Sequence, residues 1–234
     1  MTASLSAIGH IRSCFAEKFG IPRQGGLVAD ARATLEICAP YDQDEAVRGL
    51  GTFSHAWVIF GFHGCPPGQW NPTVRPPRLG GNTRLGVFAS RSPFRPNGLG
   101  LSVAKIVSVG RRDGTLCIEL AGLDIMDGTP VYDLKPYLPY ADSIPDATAP
   151  FERPPLLDGP LQWSKEATEG RLTVEASYPE FGTVVEDMLR CDPRPAYARS
   201  PDSDRRYGVK LYGADVRWTM QGDEIYVESV RIDP

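Results

Sequence analysis

Short apolar runs, each cut off by glycine or proline, are the feature that most restricts what this chain can become. Ile8–Arg12, Ala33–Ile37, Ala56–Phe62, Gly86–Ala89, Leu99–Val109 and Leu116–Leu120 are rich in β-branched or aromatic residues and read as strands. Within the third, Trp57–Phe60 is continuously apolar, as in a strand buried on both faces or lining a closed core. Asp44–Leu50 allows one short helix before Gly51. Many short strands with few helices between them favour a barrel over an open, doubly wound sheet.

The texture changes near residue 147. Four prolines within Ala149–Pro160 mark a linker. Beyond it, Phe181, Val184, Val185, Met188 and Leu189 recur at helical spacing, and Tyr207–Tyr212, Asp215–Gln221 and Glu224–Ile232 read as three strands. The expected fold class is therefore mainly β, a barrel over residues 1–146, a linker over 147–160 and a small α+β domain over 161–234, with no internal repeat. Five scattered cysteines, none in a CxxC pair, argue for reduced thiols in a cytoplasmic protein and against a zinc site or disulfide framework. No apolar run approaches the roughly 18–20 residues of a membrane helix. The first residues also lack the basic and apolar regions of a secretion signal. The expectations are no membrane partner and no metal.

A net charge of −4 conceals an uneven distribution. Between Ala46 and Arg112 there is no Asp or Glu but nine basic residues, whereas from Asp113 onward acids outnumber bases 23 to 12. An acidic chain with one cationic stretch suggests a localised anion-binding face, unless those arginines pair with the acidic half.

The densest polar segment runs Val74-Arg-Pro-Pro-Arg-Leu-Gly-Gly-Asn82 and then Gly86-Val-Phe-Ala-Ser-Arg-Ser-Pro-Phe-Arg-Pro-Asn97. Prolines present polar groups at low entropic cost, and arginine forks suit carboxylates and phosphates. Arg75, Arg78, Arg84 and Arg95 are candidate phosphate contacts. In the C-terminal part, Asp192-Pro-Arg-Pro-Ala-Tyr197 places Arg194 and Tyr197 either as a phosphate contact and a base-stacking surface or as a proline-stiffened turn. A second cluster, Lys18-Phe-Gly-Ile-Pro-Arg-Gln-Gly-Gly-Leu27, sets Arg23 and Gln24 beside glycines that permit close backbone approach. A third, Gly122–Tyr137, crowds Asp124, Asp127, Asp133 and Lys135 around an Asp-Gly-Thr-Pro turn. His55 and His63 flank the Trp57–Phe60 strand, too far apart for a helical metal pair, and His63 beside Gly64 is placed to touch a ligand.

The run Gly86–Asn97 resembles the signature of the TsaA-like family. Val74–Asn82, Pro22–Gln24, Phe53–His55, Leu123–Pro130 and Asp133–Tyr137 are similar to other blocks of that family, and Asp192–Tyr197 with Tyr207–Trp218 resemble the C-terminal extension of its bacterial long form. Gly25 and Gly98-Leu99 depart from residues common there, at places that shape backbone. The resemblance implies a single-sheet β-barrel that forms a homodimer and uses S-adenosylmethionine. It further implies N6-methylation of N6-threonylcarbamoyladenosine at position 37, in the anticodon loop of threonine tRNA. Family cofactor positions fall on Pro22, Arg23, Gln24, His63, Gly64, Arg91, Leu101, Asp127, Gly128, Thr129 and Pro130.

On that reading Arg23 or Arg91 holds the cofactor carboxylate, amides around Asp127-Gly128 meet the adenine edge, and Leu101 covers its face. The carbamoylated acceptor nitrogen is a poor nucleophile, so a proton must be removed. Asp127, Asp133, Tyr137 and the substrate's own carboxylate are candidates, and the sequence does not choose among them. The competing class is a non-enzymatic RNA- or nucleotide-binding barrel. A hydrolase lacks support, because the chain has no Gly-x-Ser-x-Gly elbow, HExxH or P-loop.

Overall fold

The computed structural model describes residues 5–65, 68–76, 83–150, 155–195 and 205–232; Arg78 and Tyr197 lie outside the described residues. The chain runs through β1 (Gly9–Ser13), β2 (Arg32–Ile37) and β3 (His55–Gly61) into a small ribbon of β4 (Thr73–Val74) and β5 (Leu85–Gly86). It continues through β6 (Leu99–Arg112), β7 (Thr115–Ala121) and β8 (Pro130–Pro136). Six of these strands close a barrel in the order β1-β2-β7-β6-β3-β8, with every pairing antiparallel.

Closure depends on β6, which is 14 residues long. Leu99–Lys105 pair with β3 and Lys105–Arg112 with β7, and the register shifts between Ile106 and Ser108. Such a bulge bends a strand and increases its twist, which lets one strand serve two sides of a barrel. Alternate side chains fill the interior. On β3, Ala56, Val58 and Phe60 are buried while Trp57 and Ile59 face outward, so the apolar run lines a closed core and leaves half of itself outside. Gly100 is needed where β6 crosses the Phe60 ring, since a Cβ there would lie 2.3 Å from it.

Two expected elements differ. Asp44–Leu50 is not one helix but two 3-10 turns, Asp44–Val47 and Leu50–Thr52, parted by Gly49 in the left-handed region. Of Gly86–Ala89, only Gly86 is extended; Val87–Ala89 forms a 3-10 turn closed by the Ser90 amide on the Val87 carbonyl.

After the short helix α1 (Pro139–Asp142) the chain builds β9 (Leu161–Trp163), α2 (Lys165–Glu175), α3 (Phe181–Arg190), β10 (Tyr207–Leu211), β11 (Ala214–Gln221) and β12 (Glu224–Ile232). Its sheet is ordered β10-β11-β12-β9, with β9 parallel to β12. The Ser164 hydroxyl caps α2 by accepting from the Ala167 amide at 2.9 Å. All five apolar residues read at helical spacing are buried on α3.

This second core is shared with the barrel. Cys14, Phe15, Val28 and Ala31, from the connection between β1 and β2, are buried in the same cluster as Phe181, Leu211 and Trp218. Phe15 bridges Leu211, the Tyr212 amide donates to the Cys14 carbonyl at 3.2 Å, and the Lys210 amide donates to Glu17 Oε1 at 3.2 Å. Residues 14–31 contain no helix or strand longer than that single bridge. Irregular segments of such length need outside support, and the C-terminal sheet supplies it.

Candidate functional site

A cavity of about 730 Å³ opens where β3 ends and β6 begins, a size usual for small-molecule sites. Its lining comes from residues 18–24, 57–65, 90–101 and 124–129, four segments distant in sequence. Ile21, Ile59, Phe62, Leu101, Ile125 and Met126 make apolar walls. Lys18, Arg23, Arg91 and Arg95 bring positive charge, and among the described lining residues Asp124 carries the only carboxylate.

Hydrogen bonds tie the segments to one another. Arg91 Nη1 donates to Gln24 Oε1, and the Gln24 amide nitrogen donates to the Arg23 carbonyl, joining the loop before β6 to the β1–β2 connection. Lys18 Nζ donates to the Gly64 carbonyl. Thr129 Oγ1 donates to the Met126 carbonyl at 2.7 Å and lies 3.1 Å from His63 Nδ1. With the hydroxyl hydrogen directed to Met126, His63 Nδ1 is the donor to Thr129. Ser102 Oγ donates to Asp124 Oδ1. Burial pushes the Asp124 carboxyl up from its ordinary value, opposed by the Ser102 bond and by the charge of Arg91.

Of the residues singled out from sequence, Pro22, Arg23, Gln24, His63, Gly64, Arg91, Leu101 and Thr129 line this cavity. Asp127, Gly128 and Pro130 do not. Asp127 Oδ1 accepts from the Ser13 amide at 3.0 Å, and the Asp127 and Gly128 amides donate to the Phe15 and Ile11 carbonyls at 2.8 Å. Pro130 faces His10 in the β1–β8 ladder. These two amides fasten the turn to β1 and to the connection that follows it. Among the candidate proton acceptors, Asp133 is exposed on β8 opposite Ile59, and the Tyr137 ring packs 5.8 Å from that of Trp57. Neither lines the cavity. Asp124 does, although its only sequence signal was a crowd of acids around a turn.

The basic residues of the acid-free stretch are used in different ways. Arg48, Arg111 and Arg112 pair with Glu45, Asp44 and Glu119. Arg95 Nη1 donates to the Val87 and Ser90 carbonyls at 3.2 and 2.8 Å, with its guanidinium carbon 5.8 Å from the Phe88 ring centre, so it staples its own loop. Arg75 and Arg84 are exposed at the tip of the β4–β5 ribbon, one step beyond the Val74–Leu85 pair, and have no ion-pair partner among the described residues. Backbone bonds from Asn71 to Phe94 and from Val87 to Pro72, 3.3 and 3.0 Å long, hang this ribbon on the loop that carries Arg91. Arg194 corrects the expectation of a surface contact. It is buried, with Nε 2.7 Å and Nη2 3.2 Å from the two Asp192 carboxylate oxygens, and its charge is neutralised inside the domain. No group of three metal-ligating side chains occurs among the described residues.

Comparison with known proteins matches residues 10–143 to the tRNA-methyltransferase O N-terminal domain and residues 158–233 to the TrmO C-terminal domain. The chain is 46% identical, over 222 residues and 94% of each chain, to the tRNA (adenine(37)-N6)-methyltransferase of Escherichia coli K12. A Pseudomonas aeruginosa chain whose name describes an S-adenosylmethionine-dependent methyltransferase is 47% identical over 93% of each. The solved structure of TrmO from Pseudomonas aeruginosa superposes with a TM-score of 0.80 at 40% identity, covering 98% of this chain and 99% of that one.

Proposed function

The chain belongs to the tRNA-methyltransferase O family, and on that premise we propose how its cavity carries out S-adenosylmethionine-dependent N6-methylation of adenosine 37 in tRNA. The observation that carries the reading is the cavity itself, with apolar walls for a nucleoside and arginines from two facing segments for a carboxylate. Those features fit the cofactor's adenine and methionyl parts. Arg91, oriented by Gln24, and Arg23 hold the cofactor carboxylate, while Leu101 and Ile59 cover an apolar face. The cofactor, when bound, supplies an electrophilic methyl group. The protein's task is to hold that carbon in line with the acceptor nitrogen, and positioning alone is worth up to roughly 7–11 kcal/mol in favourable cases.

The finer substrate is N6-threonylcarbamoyladenosine in the anticodon loop of threonine tRNA, held by phosphate contacts from Arg75 and Arg84 on the ribbon beside the cavity. A second copy of the chain completes the site as a homodimer. Support for this comes from the outer face of the barrel, where Leu101 is 56% exposed beside Ile59 in the β3–β6 ladder and Trp57 pairs with Val103 two residues on, on the same face. A cytoplasmic setting suits five free thiols and a tRNA substrate. No described helix is long and apolar enough to cross a membrane.

The test is incubation of the purified chain with S-adenosylmethionine and threonine tRNA with or without the threonylcarbamoyl group, followed by nucleoside mass spectrometry. One added methyl on the modified adenosine alone is the expected result. Tight tRNA binding with no methyl transfer on either RNA would favour the non-enzymatic binding module.

A further inference from the structure

We propose that Asp124 receives the ammonium of the cofactor's methionyl group, beside the arginine that receives its carboxylate. The inference rests on the cofactor reading above. Its starting point is an imbalance in the cavity, where four cationic side chains and one carboxylate line the wall among the described residues. An amino-acid head group carries opposite charges on atoms one carbon apart. Its receptor therefore needs an anion and a cation side by side, and Asp124 lies within electrostatic reach of Arg91.

Asp124 also has the character of a group waiting for a cation. It is half-buried, yet no ion pair joins it to any described residue; Arg91 acts on it through space. Burying a carboxylate without a counter-charge is costly, and folds ordinarily avoid it by pairing. A carboxylate offers about four acceptor positions, of which the Ser102 hydroxyl and the backbone amides of Asp124 itself and of Gly25 account for three, leaving one for a ligand. Ser102 is buried on the inward face of β6 and fixes the carboxylate from behind. Gly25 lets the β1–β2 connection close over the pair, because a Cβ there would lie 2.6 Å from Ser102 Oγ and 3.4 Å from Asp124 Oδ1.

The decisive variant is Asp124→Asn in the full chain, which keeps an oxygen for Ser102 but removes the charge. Calorimetry with two probes reads its effect: S-adenosylhomocysteine, which has the amino-acid group, and methylthioadenosine, which shares the nucleoside and sulfur but lacks it. S-adenosylhomocysteine affinity should fall about 10- to 100-fold, the size of a lost charge-assisted hydrogen bond. Methylthioadenosine affinity and the thermal midpoint should hold. Ser102→Ala, which leaves the carboxylate but releases its orientation, should show a smaller loss confined to the same probe. An equal fall for both probes would overturn the proposal and make Asp124 a tether of the Pro22–Gly25 loop. Unchanged binding with lost methyl transfer would overturn it in favour of a proton acceptor. Failure of the unaltered chain to bind either probe would instead refute the cofactor reading itself.

Discussion

Arg91→Ala tests whether the bridge across the cavity mouth binds ligand or merely closes a loop. Arg91 is exposed, and the one described hydrogen bond of its guanidinium goes to Gln24 Oε1. Its removal should therefore change folding stability by no more than about 0.5 kcal/mol, as for other surface substitutions. If the guanidinium also binds the cofactor carboxylate, the variant loses a hydrogen bond between charged groups, worth about 1.5–3 kcal/mol. That corresponds to about 10- to 140-fold weaker binding of S-adenosylmethionine or S-adenosylhomocysteine. Calorimetry on folded protein, with matched thermal midpoints, measures it. Gln24→Ala and the double variant complete a cycle. If Gln24 works by orienting Arg91, the two losses should be non-additive by at least about 0.5 kcal/mol. Unchanged affinity in a folded Arg91→Ala chain would refute the carboxylate assignment, and strict additivity would refute the orienting role of Gln24.

Three other outcomes are expected. Arg75→Ala with Arg84→Ala should flatten the salt dependence of tRNA binding by about 0.7 in log–log slope per lost phosphate contact; parallel slopes at equal affinity, measured across salt concentrations, would show that the ribbon tip does not meet RNA. Leu211→Ala truncates a fully buried side chain at the seam between the two sheets and should cost about 2–5 kcal/mol; calorimetric scanning should show a lower transition, and an unshifted one would mean that the seam contributes little. Burial pushes the Cys14 thiol up to about 12, above the roughly 8.5 of an unfolded cysteine. Its contribution is whole below pH 8.5 and is lost as pH climbs toward 12, so denaturant midpoints of the native chain should drop faster between pH 9 and 11 than those of Cys14→Ala; equal slopes would contradict the burial argument.

What the sequence disclosed followed from how each element earns its burial. The strands Ala33–Ile37 and Leu116–Leu120 were legible because one whole face of each is aliphatic and turn residues bound them. β8 was read as an acidic turn, since Val131 is its only fully buried side chain and Asp133 and Lys135 stand outside; the strand exists because closing the barrel leaves β1 and β3 each with an unpaired edge. Helix α2 buries only Ala167 and Val174, too little to make a periodic signal. Much of the cavity lining was visible as polar loop clusters. Its shape was not, because it arises where four segments meet only after closure. Residue type also gave no account of whether an arginine faces solvent, as Arg194 against Asp192 demonstrates.

The shared core beneath residues 14–31 reverses what the proline-rich linker suggests about modularity. A protease nick or a gene truncation near residue 155 would leave every barrel strand intact on paper. The remaining fragment would nonetheless expose Phe15, Val28 and Ala31, which are buried against the C-terminal sheet. The segment freed by that loss is the one carrying Pro22, Arg23 and Gln24 into the cavity. Two sheets that share a core in this way should melt as one cooperative unit, so that the cavity lip formed by Pro22, Arg23 and Gln24 stands or falls with the C-terminal sheet.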